Sequence, residues 1–148
     1  KNGELPYGCE GYIRLKYGTW ADETDVSTQP ELNYGTNIRL IRYADVLLMA
    51  AEAYHFAQGY GDSRALTELN KVRMRAKVPP INVTGNELFN AIVYERAVEL
   101  AFEGHRFADL IRWGLAENEL GSLGYTDAKY SKYPIPMGEI VSNPYYQK

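Results

Sequence analysis

The sequence predicts an all-α fold built from helix pairs, with long irregular segments before and after them. Apolar residues recur three and four positions apart in several stretches, which is the period of an amphipathic helix. Helix-start and helix-stop signals flank these stretches. Arginines and carboxylates also recur within them at one-turn spacings, which indicates ion pairs between neighbouring helices.

The first predicted helix covers residues 38–57 and is apolar on nearly all sides. We therefore expect neighbours to bury it from several directions. A turn containing two glycines follows, and Asp62 or Ser63 caps a second helix. The sequence Val78-Pro79-Pro80 ends that helix, because proline lacks the N–H group that a helix interior requires.

The strongest helical pattern follows a capping box at Thr84 and Glu87, in which each side chain accepts a hydrogen bond from the other residue's backbone. Two apolar stripes come next, separated by Gly104. We expect two helices that meet near Gly104, the second of which ends at Gly114. The apolar residues expected to be buried in the first stripe are Leu88, Ala91, Ile92, Val98, Ala101 and Phe102.

The two helix pairs start about 45 residues apart, near the period of helical repeat arrays. Two pairs are too few for a free-standing array, because each pair needs neighbours to cover its faces. We divide the chain into an irregular region with a short strand over 1–37, helix pairs over 38–117 and an irregular strap over 118–148.

The charges within the helices indicate a partly buried ion-pair network. Glu95, Glu99 and Glu103 lie four residues apart, so they share one helix face and would repel each other without compensation. Arginine compensates well because its planar guanidinium can bond a carboxylate in two places. The predicted network comprises Arg42, Asp45, Glu52, Arg73, Glu95, Arg96, Glu99, Glu103, Arg106, Asp109 and Arg112.

Composition argues against several classes of protein. The chain has 148 residues and a formal net charge of −3, and its pI is near 5.4, which argues against a nucleic-acid surface. The most apolar run, residues 43–57, contains Asp45 and Glu52 and does not resemble a membrane span. The single cysteine, Cys9, excludes an internal disulfide framework.

The sequence lacks three common catalytic or cofactor-binding motifs. The phosphate-loop, G-x-S-x-G and H-E-x-x-H patterns are missing, and His55 and His105 do not belong to a cluster of metal ligands. Two of the carboxylates could serve as a glycosidase pair, but the arginines nearby favour a structural network. We therefore expect no catalytic residue, metal or cofactor.

Aromatic residues outside the helices are candidates for ligand contact. An aromatic ring covers the C–H face of a sugar, and the polar edge of Tyr or Trp bonds sugar hydroxyls. The alternative is that these rings pin irregular segments to the helices. Trp20, which the polar run ADETD follows, is the best candidate for an exposed contact. Trp113 lies in a helical stripe and is expected in the core.

Four stretches together cover most of the chain and carry a family resemblance. They are IRLIRYADVLLMAAEAY at 38–54, ALTELNKVRMRA at 65–76, AIVYERAVELAFEGHRFADLIRWG at 91–114 and YPIPMGEIVSNPYYQK at 133–148. In this order they resemble the C-terminal part of the SusD/RagB family, the surface lipoproteins of Bacteroidetes nutrient-uptake systems. The resemblance implies an α-superhelical fragment with tetratricopeptide-like helix pairs.

The resemblance also implies a function. The protein would be an outward-facing outer-membrane lipoprotein that captures oligosaccharides without catalysis, as a lid on a SusC-like TonB-dependent transporter. Peptide capture by the same kind of complex is one alternative, and a helical-repeat module that binds protein and no sugar is another. Family members are several times longer, so we expect this chain to be the C-terminal helical portion of a longer protein. The N-terminal part, with its lipid anchor, would be a partner.

Overall fold

The computed structural model describes residues 39–57, 63–130 and 132–146, together with position 16. The chain divides into two compact units, Lys1–Arg42 and Tyr43–Lys148. Every regular element in the described ranges is a helix, which confirms the predicted all-α class. The strand predicted within residues 1–37 lies outside the described residues.

Four helices form the main part of the second unit. They are α1 (Tyr43–Ala57), α2 (Ser63–Arg75), α3 (Gly85–Glu99) and α4 (Arg106–Arg112). Helix α1 packs against both α2 and α3, and α2 also contacts α3. The three longest helices therefore share one interface, and the short helix α4 follows a turn after α3.

The main hydrophobic core lies where α1, α2 and α3 meet. Burying one such leucine or isoleucine side chain stabilises a fold by about 1.5–3 kcal/mol. The helices are amphipathic because these side chains recur every three or four residues and so share one face. The buried members of this core are Leu47, Leu48, Ala51, Ala65, Leu69, Val72, Leu88, Ile92 and Leu100.

Helix α1 begins at Tyr43, later than the predicted start at residue 38. The residues before it are apolar, but Leu40 is 82% exposed and Ile41 is 72% exposed. Most helix stability in proteins comes from burying one apolar face. Residues 39–41 follow the helical pattern but are exposed, so no burial extends the helix to them.

The buried stripe of α3 is shorter than predicted. Val98 is 56% exposed and Phe102 is 73% exposed, whereas Leu100 is only 3% exposed. Val98 lies within α3 but off the face that carries Leu88 and Ile92. Phe102 lies beyond the end of α3 at Glu99, where the chain turns and Phe102 has a positive φ of 64°. Beyond this end, the helical spacing no longer determines which side chains face the core.

The predicted capping box at the start of α3 is wrong. Thr84 is the N-cap residue and has the expected extended backbone, but its side chain makes no capping hydrogen bond. Only the ordinary first helical bond is present at this position, from the Leu88 N–H to the Thr84 carbonyl at 3.4 Å. Gly85 follows with a φ of +58°, so the first turn departs from the regular helical geometry that a capping box requires.

Gly114 ends α4, as the sequence predicts. Its N–H donates to the carbonyl of Ile111 at 3.0 Å, and the N–H of Leu115 donates to the carbonyl of Leu110 at 2.8 Å. This pair of bonds is the Schellman motif, which places its C′ residue in the left-handed region. Gly114 has a φ of +69°, a conformation that costs glycine little.

The segment after α4 is more helical than the predicted irregular strap. It contains three short α-helices, each too short for a periodic pattern to be recognised in the sequence. They are α5 (Ala116–Leu120), α6 (Asp127–Tyr130) and α7 (Met137–Ser142), accompanied by 3-10 turns at Gly121–Leu123 and Pro144–Tyr146. A second, smaller core joins this segment to α4 through Leu110, Ala116 and Tyr125.

The Gly114→Ala substitution should lower the free energy of unfolding by about 1 kcal/mol, because an L side chain is strained in the left-handed region. A methyl group at Gly114 would meet no atom within 4 Å, so crowding does not contribute. Gly121→Ala is the matched control, because Gly121 is equally open but has a φ of −57°. Urea unfolding should show a lower free energy of unfolding for Gly114→Ala only. Equal losses in the two variants would contradict the strain that we assign to the left-handed conformation at Gly114.

Candidate functional site

The most extensive polar cluster centres on Arg96 of α3. Its Nε donates to Asp109 Oδ2 at 2.9 Å and its Nη2 donates to Asp109 Oδ1 at 3.2 Å. Its Nη1 donates to Asp45 Oδ1 at 3.0 Å. All three side chains are buried, with exposed fractions between 4% and 7%. One guanidinium therefore joins α1, α3 and α4.

Arg112 extends this cluster toward the end of α4. Its Nε donates to Asp109 Oδ1 at 2.9 Å, and both of its amino groups donate to Glu52 of α1. The indole N–H of Trp113 also donates to Glu52, at 2.8 Å. The guanidinium of Arg112 lies 4.4 Å from the centre of the Trp113 ring, which adds a cation–π contact. Negative and positive side chains thus alternate along one connected series, which runs through Asp45, Arg96, Asp109, Arg112 and Glu52.

Hydrogen bonding keeps Glu52 ionised. Burial alone would raise the pKa of Glu52, but the hydrogen bonds from Arg112 and Trp113 outweigh burial and lower the pKa below its usual 4.5. The bond to Glu52 likewise raises the pKa of Arg112. Both groups are therefore charged at neutral pH, and they neutralise each other.

Other residues of the predicted network form pairs outside this cluster. Arg73 contacts Glu95 at 2.8 Å and Arg75 contacts Glu99, so two pairs link α2 to α3. Arg106 instead approaches Glu119 of α5 at 3.5 Å, and both of these side chains are more than 40% exposed. Arg42 belongs to the first unit, and Glu103 lies in the turn before α4.

An open cavity of about 450 Å³ lies beside the Glu52 end of the cluster. Aromatic rings form much of its lining and contact one another. The Phe89 ring meets the Trp113 ring edge-on with centroids 5.9 Å apart, and it stacks against His55 with centroids 5.8 Å apart. We call this space the aromatic cavity, and it is lined by Glu52, His55, Phe56, Asn86, Phe89, Arg112 and Trp113.

The aromatic cavity offers ring surface more than hydrogen-bonding capacity. Glu52 and Arg112 are bonded to each other, and the Trp113 N–H is bonded to Glu52. His55 is 1% exposed, and burial lowers its pKa although the nearby Glu52 carboxylate acts in the opposite direction. His55 is therefore neutral at pH 7. These features suit an occupant with an apolar or aromatic surface.

A smaller cavity of about 210 Å³ lies next to the second core. The Tyr125 ring stacks against Tyr130 with centroids 5.7 Å apart and meets Phe107 edge-on at 6.0 Å. Burial raises the pKa of the Tyr125 hydroxyl, and the negative charge of the nearby Asp127 raises it further. This cavity is mainly apolar and is lined by Tyr125 and Tyr130, two of the aromatic residues outside the predicted helices, but by no member of the predicted ion-pair network.

The sequence did not predict every residue of the aromatic cavity. Trp113 was expected in the core, but it is half-buried and its ring lines the cavity. Phe56 and Phe89 were not singled out, because each lies beside the buried stripe of its helix and not within it. Large aromatic residues beside such a stripe are the signal that would have found them. Trp20, the predicted ligand contact, lies outside the described residues.

The described part of the chain contains neither a cluster of metal-ligand side chains nor a helix able to span a membrane. No group of three or more His, Cys, Asp or Glu side chains there is close enough to hold a metal ion. No helix in the same ranges combines the length and the apolar character needed to cross a bilayer.

Glu52→Gln should change how stability depends on pH. A carboxylate whose pKa is lowered by folding stabilises the fold above its unfolded pKa, and this stabilisation is lost as the pH falls. The unfolded value here is 4.5, so the free-energy difference between wild type and Glu52→Gln should shrink as the pH falls from 6 to 3. Urea unfolding of both proteins at several pH values measures this free-energy difference. Glu87 is exposed, so the control Glu87→Gln should change the pH dependence of the free energy of unfolding less. Parallel pH profiles for wild type and Glu52→Gln would show that folding does not lower the pKa of Glu52.

Comparison with known proteins gives consistent matches. The SusD family model matches residues 7–148. SusD-like protein P25 of Formosa agariphila is 36% identical over 133 residues, which cover 81% of this chain and 25% of that protein. The starch-binding protein SusD of Bacteroides thetaiotaomicron is 35% identical over 117 residues, which cover 73% of this chain and 20% of that protein.

A solved structure agrees with these matches. A laminarin-binding SusD-like protein superposes with a TM-score of 0.68 and 39% identity, over 80% of this chain and 24% of that chain. The chain thus spans a fifth to a quarter of the length of these relatives. Because the family match extends over almost the whole sequence, the chain belongs to the SusD family.

Proposed function

We propose that this chain is the C-terminal helical portion of a longer surface receptor that captures nutrient glycans without catalysis. The observation that carries the proposal is the similarity to a starch-binding and a laminarin-binding protein, both named for a polysaccharide ligand. The receptor would deliver its ligand to a SusC-like TonB-dependent transporter. It would be held on the outer face of the outer membrane by a lipid anchor on a part of the protein that precedes this portion.

The chemistry of the central cluster supports a role without catalysis. SusD family proteins are non-catalytic binding proteins. In this chain Asp109 and Glu52 accept hydrogen bonds from arginines, which occupy the oxygens that a reaction would need. A general acid at neutral pH also needs a raised pKa, whereas the pKa of Glu52 is lowered. These carboxylates are therefore suited to holding helices together.

A neutral polysaccharide is the ligand class that the observations favour. The chain carries a formal net charge of −3, which disfavours strongly anionic glycans. Neutral sugars are bound by stacking of their C–H faces on aromatic rings and by hydrogen bonds to their hydroxyls. Trp20 remains our candidate for such a contact, because it is followed by polar residues and lies outside the main helices.

The alternatives differ in ligand class. One is capture of peptides by the same kind of uptake complex, and the other is a helical-repeat module that binds protein and no sugar. The aromatic cavity itself suits a peptide or protein better than a sugar. Its charged groups are bonded to each other, and its rings suit an apolar side chain.

The proposal predicts glycan binding by the natively purified receptor. Titration calorimetry with laminarin, soluble starch and a mixed oligopeptide should show binding of at least one of the two polysaccharides. After incubation with the receptor, the solution should contain no shortened sugar. Intact mass of the same sample should reveal any chain that accompanies the 16.8 kDa portion. Binding of the oligopeptide alone, or of none of the three, would contradict glycan capture.

A pair of Trp20 variants gives the matched control. If Trp20 stacks on the ligand, Trp20→Ala should weaken binding by about three- to tenfold, because an aromatic contact contributes roughly 0.5–1.5 kcal/mol. Trp20→Phe keeps a ring and should retain more of the affinity. Equal affinities for wild type and Trp20→Ala would remove Trp20 from the site without affecting the receptor assignment.

A further inference from the structure

The smaller cavity beside the second core brings together aromatic rings that remain accessible. We call it the tyrosine cavity, and it is lined by Phe107, Leu120, Leu123, Gly124, Tyr125 and Tyr130. Phe107 is 46% exposed and Tyr130 is 44% exposed, so both rings present a surface to a ligand. Tyr130 also belongs to the aromatic residues outside the predicted helices, from which we expect ligand contacts.

Tyr125 holds the two accessible rings in place from the buried side. It is only 7% exposed and belongs to the second core together with Leu110 and Ala116. Its ring stacks against Tyr130 with centroids 5.7 Å apart and meets Phe107 edge-on at 6.0 Å. One buried side chain thus positions a ring of α4 and a ring of α6 before any ligand binds. A ligand that lies on these rings therefore loses little free energy in ordering them.

Charged side chains lie close to these rings. Burial raises the pKa of the Tyr125 hydroxyl, and the negative charges of Asp127 and Glu117 raise it further, which places both carboxylates near that ring. Lys129 Nζ lies 4.8 Å from the centre of the Tyr130 ring. Glu117 accepts a hydrogen bond from the Asp127 N–H at 3.1 Å. A carboxylate has about four acceptor sites, so Glu117 keeps capacity for a ligand hydroxyl.

Rings beside charged groups suit a sugar better than an apolar side chain. An apolar occupant would displace water from the nearby carboxylates without replacing its hydrogen bonds, which costs free energy. A sugar ring covers aromatic rings with its C–H face, and its hydroxyls donate to carboxylates. The charges of Glu117 and Asp127 together outweigh that of Lys129, which favours an uncharged sugar over an acidic one.

We infer that the tyrosine cavity binds one uncharged sugar ring of a captured glycan, stacked on Phe107 and Tyr130 and hydrogen-bonded to Glu117 and Asp127. The inference rests on the glycan capture proposed above and adds a contact site to it. The cavity volume is about 210 Å³, below the roughly 300–1,000 Å³ of sites that enclose a drug-sized ligand. It therefore accommodates a single sugar ring, and the rest of the glycan lies outside it.

Titration calorimetry of the natively purified receptor with laminarin and with soluble starch tests this site. Tyr130→Ala should weaken binding of the polysaccharide that the wild type binds by about three- to tenfold, because one stacking surface is lost. Tyr130→Phe keeps the ring and should stay within about twofold of the wild type. Tyr133→Ala is the matched control, because Tyr133 is 99% exposed and lines neither cavity. Far-UV circular dichroism would verify that the variants are folded.

Nitration of tyrosine rings by tetranitromethane gives a second readout, on the wild-type protein. Site-resolved mass spectrometry would compare Tyr130 with Tyr133 in the presence and absence of saturating polysaccharide. Bound glycan should remove most of the nitration at Tyr130 and leave that at Tyr133 unchanged, because only Tyr130 lines the cavity.

The outcomes separate this site from glycan capture as a whole. Equal affinities of wild type and folded Tyr130→Ala, or unprotected nitration of Tyr130, would overturn the inference and leave glycan capture intact. A Tyr130 ring that is not nitrated even without polysaccharide would show that another segment covers the cavity, and would also overturn the inference. If the wild type binds neither polysaccharide, glycan capture fails and the inference fails with it.

Discussion

The buried guanidinium of Arg96 is the interaction on which the arrangement of the helices depends. Removing such a charge from water costs several kcal/mol, and only well-placed opposite charges and hydrogen bonds offset that cost. Asp45 and Asp109 supply them from α1 and α4, with three hydrogen bonds between 2.9 and 3.2 Å. Helix α4 has only seven residues and would not be stable alone. Its position is therefore set largely by the Asp109 contact and by the small core around Leu110.

The same chain of charges shapes the aromatic cavity. Arg112 lies between Asp109 and Glu52 and stacks on Trp113, so it fixes the indole ring at the cavity wall. Because these polar groups bond one another, much of their hydrogen-bonding capacity is used within the protein. The charges of this cluster are directed inward, where they join α1, α3 and α4.

Local patterns predicted the helices, while contacts distant in sequence decided the site. The three- and four-residue spacing identified α1, α2 and α3, and Gly114 marked the end of α4. The spacing could not show that Arg96 would reach Asp45, 51 residues away, or that Arg106 would approach the exposed Glu119 instead. Pairing of this kind depends on how helices pack. The observed start of α1 and the observed end of the buried α3 stripe also differ from the predicted ones. Both depend on which residues pack against neighbouring helices, and the spacing does not show this.

The most direct test of this account is the free energy of unfolding of Arg96→Ala, measured by urea titration beside Lys71→Ala. Lys71 forms an exposed pair with Glu68, and such pairs contribute about 0–1 kcal/mol. Removing Arg96 leaves the buried Asp45 carboxylate without this partner and leaves Asp109 with Arg112 alone, so we expect a loss of about 3–5 kcal/mol or an unfolded chain. A folded Arg96→Ala protein that is no less stable than Lys71→Ala would show that the helices do not depend on this guanidinium.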